Sequence, residues 1–164
     1  MTNQTWEYQN MHVEIVNFPE TRVAAIEHKG PPALEHQSVQ RLIDWRIENR
    51  FPPSQKHRTY GLHHNNPAKV SPEEYRVDIC ISVEDKIPPN QYGVINKIIP
   101  ACRCARARHY GSRERVLAAE YLYEKWLPAS GEAFANLPVI FHYVNVGPQV
   151  TEKDMITDVY LPLA

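Results

Sequence analysis

No apolar run in this 164-residue chain approaches the roughly 18 residues that a membrane-spanning helix needs, so no membrane partner is expected. Residues Met1 to Gln9 are polar and lack the apolar stretch of a signal peptide. Neither sign of charge is in excess. Lys and Arg number 18 and Asp and Glu 19, a formal net charge of −1, so no overall field draws the chain to nucleic acid, and no direct nucleic-acid binding is expected. The six glycines form no phosphate-binding fingerprint, and no Gly-x-Ser-x-Gly elbow is present. The eight histidines show neither His-x-x-x-His nor His-Glu-x-x-His spacing, so no metal and no cofactor are expected. Three cysteines, an odd number, read as reduced thiols of a cytoplasmic protein. Cys102 and Cys104, two apart, are expected on opposite faces of a strand, and no second Cys/His pair lies near enough to complete a metal site with them.

What is present is an ordinary globular composition, 43% apolar and 23% charged, in a length that suits one domain spanning 1–164. That domain contains a repeat. Shifted by 81, the sequence matches itself at Val13 and Val94, Pro19 and Pro100, Arg22 and Arg103, Ala24 and Ala105, His28 and His109, Gly30 and Gly111, and Trp45 and Trp126. Further on the shift is 80, at Asn65 and Asn145 and at Asp78 and Asp158. The copies cover about 11–85 and 92–164, and the lost residue falls in the loops Phe51 to His57 and Ala129 to Leu137.

Each copy reads β-α-β-β. Extended segments are expected at His12 to Asn17 and Arg22 to His28, and again at Val94 to Ile99 and Cys102 to His109. Each pair forms either two strands or one strand kinked at Pro19 or Pro100. Helices follow at about Ala33 to Asn49 and Ser112 to Leu127, the second capped by Ser112 and stopped by Pro128 and Gly131. Closing strands run Arg58 to Asn65 with Tyr75 to Val83, and Val139 to Asn145 with Ile156 to Leu163. Val77, Ile79, Ile81 and Val83 share one face, as do Thr157, Val159, Leu161 and Leu163. A copy with one helix and about three strands cannot bury a core alone. The expected architecture is therefore α+β: duplicated units forming a mostly antiparallel curved sheet, two helices on one face, and a ligand cleft at the pseudo-two-fold seam.

The stretches Gly61-Leu-His-His-Asn-Asn-Pro67 through Tyr75-Arg-Val-Asp-Ile-Cys-Ile81, and Val139-Ile-Phe-His-Tyr-Val-Asn145 through Thr157-Asp-Val-Tyr-Leu-Pro162, resemble the GyrI-like family. This is the superfamily of AraC-type effector-binding domains and of the DNA gyrase inhibitor protein. Trp126-Leu-Pro-Ala-Ser-Gly131 after a helix is similar too, and the resemblance covers Met11 to Leu163. It implies a small-molecule-binding module. With about ten residues before the first strand, a stand-alone module is expected. Relatives thought to be hydrolases use a Glu two residues before the Tyr equivalent to Tyr143. Phe141 stands there, which favours binding over hydrolysis.

The repeat also points to site residues. A shift of 81 sets Glu120, Tyr123 and Glu124 where the first helix has Val39, Leu42 and Ile43. Carboxylates among core positions are costly unless paired or lining a cavity. One reading is an exposed helix face with both carboxylates paired to basic side chains. The other is a binding site in which Glu120 or Glu124 receives a cation and Tyr123, Trp126, Phe141 and Tyr143 form aromatic walls. His63, equivalent to Tyr143, and Trp45, equivalent to Trp126, complete the candidates. Gly61 opposite Phe141 leaves room in the seam. The expected partner is a small hydrophobic or cationic molecule bound by a sensor or sequesterer; a protein partner, as for a gyrase inhibitor, is the alternative. The basic run Arg103, Arg106, Arg108, Arg113 and Arg115 alternates with alanines and reads as a solvated face.

Overall fold

The computed structural model describes residues 11–164. The chain forms two compact units, one from 11–18 with Cys102–Ala164 and the other from Pro19–Ala101. The strands are β1 (Glu14–Phe18), β2 (Thr21–Lys29), β3 (Thr59–His63), β4 (Arg76–Ser82), β5 (Ile95–Ile99), β6 (Cys102–Tyr110), β7 (Val139–Tyr143) and β8 (Ile156–Pro162). Helix α1 (Glu35–Asn49) follows a 3₁₀ turn at Pro32–Leu34. The second helical segment is α2 (Leu117–Tyr121), a π-helical turn (Leu122–Trp126) and α3 (Leu127–Ser130), without a break.

In the Pro19–Ala101 unit the antiparallel order is β3-β4-β2-β5. Alternation along β2 and β4 sends Ala24, Ile26, Ile79, Ile81 and Val83 to the face that α1 covers with Leu42 and Trp45. In the other unit the order is β1-β6-β8-β7. There Ala105, Ala107, Val159, Leu161 and Leu163 meet Ala118 and Leu122 of the second helix. The expected β-α-β-β pattern is present in both copies, with one rearrangement. The copies exchange first strands: β1 pairs with β6, and β5 pairs with β2. Each unit has four strands, because the reading of one kinked strand gives way to two. The two-residue links at Pro19 and Pro100 account for this. Tight hairpins of types I′ and II′ need positive φ at their first central residue, which proline cannot adopt.

The second helix begins at Leu117, not at Ser112. Ser112 Oγ does accept the Glu114 amide at 3.2 Å, but it caps only a turn. Arg113 is drawn away instead, donating to Thr157 Oγ1 (2.8 Å), Ile156 O (2.8 Å) and Asn145 O (2.9 Å). The helix ends beyond Pro128, at Gly131, whose φ of 76° makes the left-handed C-cap. Among the described residues no helix is long and apolar enough to cross a membrane.

Candidate ligand-binding surface

The second helix determines which side chains its unit presents. Buried positions pair Ser38 with Ala118 and Leu42 with Leu122, a shift of 80, whereas Trp45 and Trp126 keep a shift of 81. A π-turn holds one residue more than an α-turn, and the turn at Leu122–Trp126 absorbs that difference. The register expected for the carboxylates is corrected accordingly. Val39 corresponds to Ala119, each packed against its own core, and Ile43, 41% exposed, corresponds to Tyr123, 42% exposed. Glu120 and Glu124 do not replace core aliphatics. Glu120 is held by Arg115 through two hydrogen bonds of 2.8 and 2.9 Å. Glu124 is exposed, with no ion-pair partner among the described residues.

Two aromatic pairs of this unit hold sequence candidates, one of them at this turn. The Tyr123 ring sits 5.4 Å from Phe134, and burial raises the pKa of its hydroxyl. Trp126 and Phe134 are half-buried against the core. On β7, Phe141 and Tyr143 follow Val139 at a spacing of two, and their rings stand 6.4 Å apart. The Arg113 guanidinium lies 5.1 Å over the Tyr143 ring, and burial lowers its pKa. Six of the eight sequence candidates thus belong to one unit. Phe134 and Arg113 join them there; loop 131–138 has no periodicity that would have marked Phe134.

Trp45 and His63 belong to the other unit. Trp45 is 2% exposed and stacks on Phe51 at 5.2 Å, so its main role is in the core. Its edge also floors a hollow of about 230 Å³ with Phe51, His57, Val83 and Ile87, rimmed by the Lys56–Glu84 pair at 3.3 Å. The segment joining the two copies forms one wall of this hollow, and no sequence motif announced it. Arg46, 8% exposed, bonds Phe51 O and Thr59 Oγ1 at 2.9 Å each, and burial lowers its pKa to about 10. His63 faces the helix side of β3, opposite Val77, and Gly61 does so opposite Ile79. Burial and the adjacent His64 push the His63 pKa down to about 4, so the ring is neutral near pH 7.

The basic run has internal partners. Arg103 bonds Glu132, Arg106 bonds Glu14, Arg108 bonds Asp158 and Arg115 bonds Glu120, as Arg113 bonds the β8 start. Among the described residues no group of three or more His, Cys, Asp or Glu is placed to hold a metal.

A β-α-β-β duplication with these aromatic side chains in its second copy defines the class. Residues 11–164 match the model of the GyrI-like small molecule binding domain, and the chain belongs to the GyrI-like family. It is 41% identical over 165 positions to the probable transcriptional regulator YgiV of Escherichia coli (strain K12), with 100% of both chains covered. It is 28% identical over 162 positions to the DNA gyrase inhibitor of Erwinia billingiae (strain Eb661), covering 94% of this chain and 98% of that one. Among solved structures, the EcmrR C-terminal domain superposes with a TM-score of 0.75 at 17% identity, over 94% of this chain and 98% of that one. SAV2435 bound to tetraphenylphosphonium superposes with a TM-score of 0.58 at 10% identity, over 94% of each. The chain is a small-molecule-binding domain.

Proposed function

We propose that the domain is a sensor or sequesterer of hydrophobic, cationic amphipathic molecules, bound on the aromatic surface around the π-turn. The observation that carries this reading is the exposed Tyr123 ring, held against Phe134 by a turn that also displays Glu124. π-Turns within α-helices recur at functional sites. Trp126, Phe141 and Tyr143 extend the surface, Glu120 lies beside it, and His63 is the neutral counterpart of Tyr143 in the other copy. Trp45 supports its own unit from the core.

Magnitudes rank the contributions. Covering about 100 Å² of aromatic surface is worth about 2.5 kcal/mol at 25 cal/mol per Å². A cation over a ring adds about 0.5–2 kcal/mol, and the exposed Glu124 about 0.2–1 kcal/mol. Hydrophobicity therefore sets affinity, and charge sets preference. Glu120 contributes less, because Arg115 already neutralises it. Arg113 already occupies Tyr143, which leaves Tyr123, Trp126 and Phe141 to meet a ligand cation.

Tetraphenylphosphonium and tetraphenylborate, alike in shape and opposite in charge, provide the test. Calorimetry is expected to show the phosphonium bound about 5–30-fold more tightly, the equivalent of about 1–2 kcal/mol. A Tyr123→Ala variant is expected to weaken both ions, and Glu120→Gln/Glu124→Gln to narrow the difference between them. Binding of neither ion refutes the site, and equal binding refutes the charge preference. A second reading, a protein-binding role, draws on the likeness to the DNA gyrase inhibitor. Inhibition of gyrase supercoiling by the ligand-free domain would favour it.

A further inference from the structure

Cys102 and Cys104 open β6 in the unit built from 11–18 and Cys102–Ala164. The expectation that they point to opposite faces is corrected. Residues two apart on a strand share a face, and the two Sγ atoms lie 3.3 Å apart. Cys104 is 0% exposed, whereas Cys102 is partly open. The register explains the difference. Phe18 on β1 lies opposite Cys102, Tyr160 on β8 lies two residues before the Pro162 that faces Cys104, and the two rings meet at 5.1 Å. Cys104 therefore lies beneath aromatic side chains from both neighbouring strands. The third thiol, Cys80, is buried in the other unit.

We propose that Cys102 and Cys104 are a redox-active dithiol, with Cys102 attacking small-molecule disulfides and Cys104 resolving the adduct. In the first step the Cys102 thiolate attacks one sulfur of a disulfide RSSR, and RS⁻ departs with the bonding pair. In the second, the Cys104 sulfur attacks the Cys102 sulfur and a second RS⁻ departs, taking the Cys104 proton. The two protein thiols are oxidised to one disulfide and RSSR is reduced to two RSH. The exposed sulfur is the one a reagent can reach. The buried one is already in contact with it, so the second step is intramolecular. Burial and the neighbouring Cys102 raise the Cys104 pKa, which keeps that thiol protonated until it is engaged.

The backbone makes the bond reversible. Two residues of strand span about 6.7 Å at 3.3–3.4 Å per residue. Disulfides tolerate Cα separations of about 4.4–6.8 Å, so the bond can close at the upper limit of that range. Strained disulfides are the readily reduced ones, as a responsive pair requires and a permanent cross-link does not.

Intact-mass spectrometry of the full chain, alkylated after equilibration in glutathione buffers from fully reduced to fully oxidised, tests this in a Cys80→Ser background. The parent is expected to lose both alkylatable thiols and retain no glutathione. Cys104→Ser is expected to retain one glutathione at position 102. Cys102→Ser is expected to keep a free thiol that reacts about tenfold or more slowly. Cys104→Ala serves in place of Cys104→Ser if the polar substitution unfolds the chain, and thermal melts establish which variants fold. Both thiols surviving in fully oxidised glutathione overturns the proposal. So does a Cys104→Ser or Cys104→Ala variant that retains no adduct, or adduct formation in Cys102→Ser as fast as in Cys104→Ser.

Discussion

Replacing Lys97 by Met tests how the sheet of the Pro19–Ala101 unit tolerates a buried charge. Asp78 is 1% exposed, yet its carboxylate stays ionised. Its Oδ2 accepts from Lys97 Nζ at 2.6 Å and from His64 Nε2 at 2.8 Å, while Lys97 also reaches Glu27 at 2.7 Å. The other carboxylate oxygen, Oδ1, has no hydrogen-bond partner among the described residues. Burial alone would raise the Asp78 pKa, but the His64 and Lys97 hydrogen bonds outweigh it and the net shift is downward. Removing one partner of a fully buried ion pair costs about 3–5 kcal/mol. The Lys97 side chain is 27% exposed and His64 remains, so about 2–3 kcal/mol is expected for Lys97→Met. Adding Asp78→Asn to Lys97→Met should recover about half of that loss, because the uncompensated charge goes with it. The pH dependence should weaken. In the parent, a lowered folded-state pKa gives stability that is present above the unfolded value of about 3.9 and lost as pH falls through the folded value. Without Lys97 the His64 hydrogen bond alone opposes burial, so the folded pKa rises toward the unfolded one and the variant loses less stability than the parent on acidification. Urea unfolding followed by Trp fluorescence at pH 7 and pH 4 measures both effects. A loss below about 0.5 kcal/mol, or strict additivity with Asp78→Asn, would refute the reasoning.

Three further outcomes follow from the same contacts. Trp45→Ala should cost about 3–5 kcal/mol and Trp126→Ala about half that, read by urea unfolding, because Trp45 is enclosed and Trp126 only half-buried. His63 should titrate near pH 4 by NMR. Because the unfolded ring binds protons from about pH 6.5, its contribution to stability is lost as pH falls from 6.5 toward 4, and His63→Gln should flatten that slope. Deleting Lys125 should turn the π-turn into a regular α-turn like that of α1. The chain should still fold by circular dichroism while tetraphenylphosphonium binding falls at least about tenfold; unchanged binding would separate the site from the turn.

The sequence displayed the strands plainly, because alternation along 76–83 and 156–163 is a direct imprint of a half-buried sheet. It did not display the strand exchange, which is a matter of non-local pairing. Its one local trace is the proline in each two-residue link. The helix register was hidden for a different reason. Trp45 and Trp126 keep the shift of 81 that His28 and His109 have, so the π-turn leaves no gap in the alignment. A residue lost before Ala118 and regained by Trp126 cancels in the count, and Glu120 and Glu124 then fall one position out of place. The hollow beside Trp45 was invisible because the connector that walls it belongs to neither repeat.

Several identities shared by the two copies have matching structural roles. Asn65 accepts the Arg76 amide and donates to Glu74 O, and Asn145 does the same with Ile156 and Asp154, so each clips the loop between its closing strands. Gly30 and Gly111 donate to Tyr75 O and Met155 O at φ values of 135° and 102°, where a side chain would be strained. His28 and His109 bond carbonyls three residues on, Pro31 O and Ser112 O, in the links that lead from their strands toward the helical segments. Asp78 and Asp158 each anchor a cation on the face away from the helix, but Asp78 takes Lys97 from β5 and Asp158 takes Arg108 from β6. Shared residues therefore build the scaffold and cannot by themselves distinguish one unit from the other. On the helices the copies differ where side chains are exposed. Ile43 and Ile47 of α1 are aliphatic, whereas the π-turn offers Tyr123 and Glu124. An aliphatic surface cannot select for charge, and an aromatic one beside a carboxylate can. That difference, and not the shared core, is what should assign ligand preference to the second copy.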